Sequence, residues 1–286
     1  MAKKHIKYSY NHRGFQTFIT VYLVFCTLFS LLSLFITILN ACKTHENIIS
    51  NGIFGLLQGN IFQIIANNFQ YAWTEIGDSF WNSILFSLVG AVLDCAIGAI
   101  LAYIFTYKEF PFKKFLFTLY ISIMLLPSIM GMPILVPFMQ QTLGWDNTIV
   151  GYLAPMLAGG QVSALFLFKT FFGQQPLSIY ESAKVEGSND FHMFVKITLP
   201  LALPIILYHF IGCFSSIYND YLWASLIMDP GTLMMPTLQS STQNLQNVQM
   251  GAMYMLYVIS SFPLIITTAI SMKYFASGDF ASGMKL

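Results

Sequence analysis

The side chains of this chain that could do chemistry lie in two settings, the first being polar residues embedded in apolar stretches. Asp94 stands near the middle of one such stretch. An ionised carboxylate at the centre of a bilayer costs about 2.5–3.5 kcal/mol on insertion scales, so Asp94 must face a bundle interior or a wet cavity, or be protonated. It either hydrogen-bonds a neighbouring helix or forms a polar station on a path across. Asn219, Asp220 and Trp223 occur in the run YNDYLW, from Tyr218 to Trp223. Aromatic platforms beside carboxylates and amides suit sugars, whose faces are apolar and whose rims are hydroxyls; Trp and Tyr also serve simply as interface anchors. His209 reads as a neutral, hydrogen-bonded core histidine. The second setting is the polar stretch Tyr180 to Pro200, YESAKVEGSNDFHMFVKITLP, whose residue types suit docking rather than catalysis.

Hydrolytic and redox chemistry have no support. The chain has no GxxxxGK[ST] phosphate loop, no metal-spaced His/Glu cluster and no nucleophile elbow. Cys26, Cys42, Cys95 and Cys213 are scattered without CxxC spacing and read as small packing residues. No cofactor is expected, and no ATP hydrolysis by this chain alone. A formal net charge of +1 excludes a nucleic-acid partner.

The elements that must position these groups are membrane helices. Hydrophobic residues make up 56% of the chain and charged residues 9%, against about 25% charged in soluble domains. Residues 1–16 carry Lys3, Lys4, Lys7 and Arg13 without an acid, and 17–40 is an uncharged first span, too long for a signal peptide. Residues 41–79 read as an extracytoplasmic segment, with NIFQIIANNFQYAW interfacial rather than spanning. A core of five further spans occupies 80–272, at about 80–107, 115–139, 148–168, 201–228 and 251–272, followed by a tail at 273–286. Six spans leave both termini on one side. With that side cytoplasmic, 12 of the 13 basic residues lie inside and only Lys43 outside.

Within these spans, Ala91, Cys95 and Ala99, with Gly98 and Ala102, form small-residue stripes that let another helix approach closely. Pro127, Gly131, Pro133 and Pro137 must kink or break the third span. Irregular backbone is tolerated only where protein or water satisfies it, which directs Pro127 and Pro133 toward a translocation path. The outer stretch 229–250 is uncharged after Asp229 and rich in Gln, Asn and Ser, suited to docking an external partner.

The loop 169–200 then faces the cytoplasm. Ser178 and Glu181 have capping-box spacing, Gly187 can take the left-handed conformation that ends a helix, and Ser188 can cap a second helix with Asp190 in its first turn. That second helix is expected to end near Thr198, with Leu199 forced extended by Pro200. Ala183 and Gly187, four apart on one face, permit close approach to a partner, while Glu181 and Glu186 offer charge.

The ordered set Glu181-Ser182-Ala183, Gly187, Phe194, Ile197, Leu199 and Pro200 resembles the signature loop of ABC importer permeases: Glu-Ala-Ala, three residues, Gly, and a hydrophobic tail ending Leu-Pro. Ser182 and Ser188 replace alanines and Glu186 replaces an aspartate. The resemblance continues from about Asn68 to the C-terminus and is similar to the shorter permease subunit of the maltose-type, carbohydrate-uptake branch. It is carried by Asn68, Tyr71, Asn82-Ser83, Leu126-Pro127, Pro133, Leu143-Gly144, Asn147-Thr148, Phe171-Phe172, Pro176, Asn219-Asp220, Leu222-Trp223, Tyr274-Phe275, Gly278, Gly283 and Lys285. The first outer loop lacks the prolines usual in that branch.

The resemblance implies an all-α integral membrane protein of the type I importer permease fold, with six transmembrane helices and a cytoplasmic coupling helix-turn-helix in a prokaryotic plasma membrane. It also implies half of a pore made with a second permease, two cytoplasmic ATPase subunits that bind the ATP, and an extracytoplasmic solute-binding protein. Glu181, Ser182, Ala183, Glu186, Gly187, Phe194 and Pro200 would couple to the ATPase. Asp94, Pro127, Pro133, Asn219, Asp220 and Trp223 would lie toward the path. The alternatives are an ABC permease for another solute such as a polyamine, an ion-coupled secondary transporter, for which Asp94 alone is thin support, and a non-transporting scaffold, which leaves Asp94 and the prolines unexplained.

Overall fold

The computed structural model describes residues 13–246 and 248–276. The basic N-terminus before Arg13 and the tail positions Gly278, Gly283 and Lys285 lie outside the described residues. Among the latter the secondary structure is entirely helical. Two compact units are formed, one by residues up to 72 with 245–258, the other by 73–244 with residues from 259 on.

The first unit begins with α1 (Arg13–Ala41), whose most apolar window is wholly unburied. Such a helix, apolar on every side and uncovered, has lipid as its solvent. It ends in a dense polar knot. Asn68 Nδ2 donates to the carbonyls of Ala41 and Lys43, each at 2.9 Å. Lys43 is fully buried and its ammonium donates to Gly52 O at 3.3 Å and Ile53 O at 2.9 Å. Thr44 caps α2 (His45–Asn51) by accepting from Asn47 N–H.

α3 (Ile61–Tyr107) is one continuous helix of 47 residues. The stretch read as interfacial and the span expected from Phe80 are therefore parts of the same helix. Residues 61–79 contain no proline and only Gly77, so nothing in the backbone interrupts propagation once α3 has started. At 1.5 Å per residue α3 is about 70 Å long, more than twice a bilayer core of about 30 Å.

In the second unit the third span is broken, as its prolines require. α4 (Lys113–Ile123) is followed by a 3₁₀ turn at Ser128–Gly131, α5 (Met132–Pro137) and a π turn at Phe138–Leu143, and the two arms bend by 89°. α6 (Ile149–Phe172) starts at Thr148, whose hydroxyl accepts from Gly151 N–H at 3.0 Å. The small stripe on α3 brings it against α6: Ala91, Ala99 and Ala102 are buried, and a methyl added at Gly98 would lie 2.3 Å from Ala164 Cβ.

After α7 (Leu177–Val185) and the single turn α8 (Asp190–Met193), a π turn at Phe194–Thr198 leads directly into α9 (Leu199–Tyr218). Leu199 is helical, with φ −63° and ψ −46°, so its expected extended break before Pro200 is not formed. Pro200 has no N–H to donate and its ring crowds the carbonyl four residues back; the wider π turn just before it accommodates both defects. α9 ends at Tyr218, and α10 (Leu222–Ile227) starts after a sharp break, so the fifth span expected to reach Met228 is two helices. The outer stretch forms an amphipathic helix, α11 (Met234–Leu245), and α12 (Met250–Ala276) completes the set. Among the described residues five helices are long and apolar enough to cross a membrane, and six spans result if the bent α4–α5 pair counts as one.

Candidate functional site

The loop between α6 and α9 is a helix pair closed by glycine. Gly187 has φ +82°; Ser188 N–H donates to Ala183 O at 2.9 Å and Gly187 N–H to Lys184 O at 3.1 Å. These two bonds satisfy the last carbonyls of α7 in a Schellman arrangement, which requires the left-handed residue that glycine supplies. The expected caps shift. α7 begins at Leu177, with Pro176 as its N-cap and Ser178 already inside, so Ser178 makes no cap bond. Pro176 is already fixed at φ −62°, which starts the helix two residues early. α8 is capped by Asn189, whose Oδ1 accepts from His192 N–H at 2.8 Å, and not by Ser188. Asp190 does sit in the first turn and pairs with Lys108 at the end of α3.

Beneath this pair lies a buried polar clasp that sequence reasoning missed. Tyr180 Oη donates to Gln175 Oε1 and lies 2.9 Å from Thr198 Oγ1. Gln175 Nε2 donates to Thr198 O at 3.4 Å, and Tyr107 Oη lies 2.9 Å from Phe172 O and 3.1 Å from Gln175 Oε1. The clasp joins α3, the end of α6, α7 and the start of α9. Around it Phe168, Phe172, Met193 and Ala202 are buried together, and Phe194 packs edge-on against Tyr103 at 5.2 Å.

The other face of α7 and α8 is bare. Glu181, Ser182, Glu186 and Gly187 are exposed, and so are Val185 at 89% and Phe191 at 75%. Ala183, read as a contact for a partner, is half-buried and packs on the chain's own core as well. Pro200 starts α9 and is exposed.

Further along the bundle is a cavity of about 1150 Å³, bounded by α3, the broken α4–α5 span, α6, α9 and α12. Asp94 and Pro127 line it, along with Gly131, Gly160, His209 and Ser271. Asp94 is 1% exposed, as an interior carboxylate must be, and its Oδ2 lies 2.7 Å from His209 Nε2. Phe168 meets the imidazole edge-on at 5.3 Å and fixes its plane.

The remaining path candidates lie off this lining. Pro133 is in the first turn of α5. Asn219 Nδ2 donates to Ser215 O at 2.8 Å, and the Asp220 carboxylate accepts from Ala224 N–H at 2.8 Å and Trp223 N–H at 3.4 Å, capping α10. Trp223 is buried, its Nε1–H donating to Tyr152 O at 3.0 Å. Here Asn219, Asp220 and Trp223 build the break between α9 and α10, a corner further held by Asn147 N–H donating to Ile227 O at 2.8 Å. Among the described residues no group of His, Cys, Asp and Glu could hold a metal ion.

Comparison with known proteins places this arrangement. The bacterial importer of the acidic polysaccharide alginate contains a chain that matches with a TM-score of 0.73 at 19% identity, covering 92% of this chain and 98% of that one. The inward-facing methionine transporter MetNI matches with a TM-score of 0.53 at 13% identity, over 70% of this chain and 94% of that one. Among relatives by sequence, the xylose/arabinose import permease of Haloferax volcanii is 24% identical, covering 89% of each chain. The arabinooligosaccharide permease of Halalkalibacterium halodurans is 24% identical over 92% of this chain and 93% of its own. The diacetylchitobiose uptake permease of Streptomyces coelicolor is 24% identical over 76% and 72%. Residues 95–278, from mid-α3 into the tail, match the model of one family, and the chain belongs to it: the binding-protein-dependent transport system inner membrane components.

Proposed function

We propose that this protein is the transmembrane permease subunit of an ATP-driven sugar importer, forming half of a pore with a second permease. Two ATPase subunits bind and hydrolyse the ATP, and an extracytoplasmic binding protein delivers an oligosaccharide or related carbohydrate. The membrane is the cytoplasmic membrane of a prokaryote, with both termini inside, as the basic residues favour.

The observation that carries this reading is the two-faced helix pair α7–α8. Its inner face is clasped to α3, α6 and α9 through Tyr180. Its outer face offers Glu181, Glu186, Val185 and Phe191. An exposed Phe and Val flanked by carboxylates suit a protein partner, because burying them gives apolar gain while the charges select orientation. Motion of a bound ATPase would pass through the clasp into three membrane helices. The sugar assignment draws on the relatives for xylose/arabinose, arabinooligosaccharides and diacetylchitobiose.

The test is affinity purification of the chain from its native membrane in mild detergent, with mass spectrometry of what accompanies it. Recovery of a second permease, an ATPase and a solute-binding protein is expected. Recovery of the chain alone, under conditions that keep known ABC complexes intact, overturns the reading.

A further inference from the structure

Three buried side-chain atoms lack a hydrogen-bond partner among the described residues: Asn40 Oδ1, Ser87 Oγ and Asp94 Oδ1. Of these residues only Asp94 lines the large cavity. Its other oxygen is held by His209, so the carboxylate cannot swing to hide both oxygens against one donor. The unpartnered oxygen faces Gly160, where an added methyl would lie 2.5 Å from it. The glycine, itself part of the cavity lining, leaves the buried oxygen uncrowded on that side.

A buried carboxylate oxygen without a donor is costly, and the cost is recovered when a donor arrives; hydrogen bonds to an ionised acceptor are stronger than those between neutral groups. With the carboxylate ionised, the 2.7 Å contact makes His209 Nε2–H the donor to Oδ2. Oδ1 of that carboxylate is then left as an acceptor. Around it the lining is mainly apolar, including Met130, Met156 and Ile211, with hydroxyls from Ser163 and Ser271. A mainly apolar wall with a few fixed polar groups is the usual make-up of a small-molecule site, and it fits a pyranose or furanose, with apolar faces and donor-rich edges. An anionic sugar offers the same hydroxyls, but its carboxylate is repelled by that of Asp94 in a medium of low dielectric constant.

From this geometry we propose that Asp94, oriented by His209 and left uncrowded by Gly160, binds a hydroxyl of a neutral sugar during its passage through this subunit. This rests on the importer reading above and deepens it. The site belongs to this chain and is set by contacts between α3, α6 and α9. It accepts neutral carbohydrates and disfavours uronates.

The test uses the assembled transporter in proteoliposomes, with its binding protein and ATP. Uptake of radiolabelled maltose, cellobiose, arabinobiose, diacetylchitobiose and a uronate disaccharide is measured first. The neutral sugar that is moved is then replaced by its singly deoxygenated derivatives, in the wild type and in Asp94→Leu and Gly160→Ala. The binding protein is the same throughout, so its own preferences cancel in the ratio. One deoxy position is expected to lower wild-type uptake by roughly tenfold, the discrimination given by one charge-assisted hydrogen bond, and both variants lose that discrimination. If Asp94→Leu fails to assemble, Gly160→Ala decides, because it obstructs the carboxylate without removing the pair. Unchanged discrimination in an assembled variant overturns the site, as does a wild type indifferent to every deoxygenation. Preferential uptake of the uronate overturns the site and leaves the importer reading standing; ATP hydrolysis without uptake of any of the five sugars overturns both.

Discussion

Tyr180 on α7 lies against Tyr107 at the end of α3, ring centroids 4.4 Å apart, and both hydroxyls converge on Gln175 Oε1. α3 and α7 are thus tied at one amide as well as through their rings. Tyr180→Phe keeps the ring contact and removes the shared hydroxyl, leaving Gln175 and Thr198 short of a partner. A loss of about 1–3 kcal/mol in unfolding free energy is expected. Uptake per ATP hydrolysed in proteoliposomes is expected to fall. A ratio equal to wild type would assign the clasp to stability alone.

Gly187 has a backbone conformation that proline cannot adopt, and its N–H is in use. Gly187→Pro therefore opens the turn between α7 and α8. Because the turn is exposed and away from the lipid-packed helices, the variant is expected to insert in the membrane at wild-type level and to transport poorly. Wild-type uptake would refute the coupling role of residues 181–187.

Gly98 lets α3 approach α6 at Ala164. A side chain there must push the helices apart, and overpacking of this kind typically costs 1–3 kcal/mol. Gly98→Val is expected to lower the midpoint of thermal unfolding in detergent. Gly159→Ala, where an added methyl meets nothing within 4 Å, serves as the control and should leave the midpoint unchanged.

Lys43 is the one basic residue on the expected outer side, and it is fully buried with two backbone carbonyls as acceptors. Burial lowers its pKa below the ordinary lysine value. Between the lowered native value and the ordinary unfolded one, the unfolded chain binds the extra proton, so stability rises with pH across that window and is lost as pH falls through it. Lys43→Met, which keeps the length of the side chain without the charge, is expected to flatten this slope in unfolding measurements between pH 8 and pH 10. An unchanged slope would show that another group sets it.

What the sequence made legible was local. Gly187, the prolines of the third span and the small stripe on α3 each act on their own backbone or face, and each behaves as its residue type dictates. The partner of Asp94 was not legible, because His209 is 115 residues away and nothing in either segment specifies which faces meet. The clasp has the same origin: Tyr107, Gln175, Tyr180 and Thr198 are ordinary in isolation. The structural part played by the run around Asp220 was not legible for a different reason. Asp and Asn begin helices with the same acceptor oxygens that would bind a sugar hydroxyl, so composition alone does not separate a cap from a site. Ala183 is a similar case, since a small residue permits close packing without saying on which side.

The π turn at Phe194–Thr198 gives α9 a rotational phase as well as a beginning. One residue added to or removed from a helix turns everything beyond it by about 100°. His209 faces Asp94 only because the register entering at the loop between α6 and α9 is carried along α9. Deleting a single residue from that turn would leave α9 in place yet rotate the imidazole off the carboxylate. The dial that aims the histidine into the cavity is therefore set eleven or more residues away, beside the helix pair that meets the ATPase in the reading above.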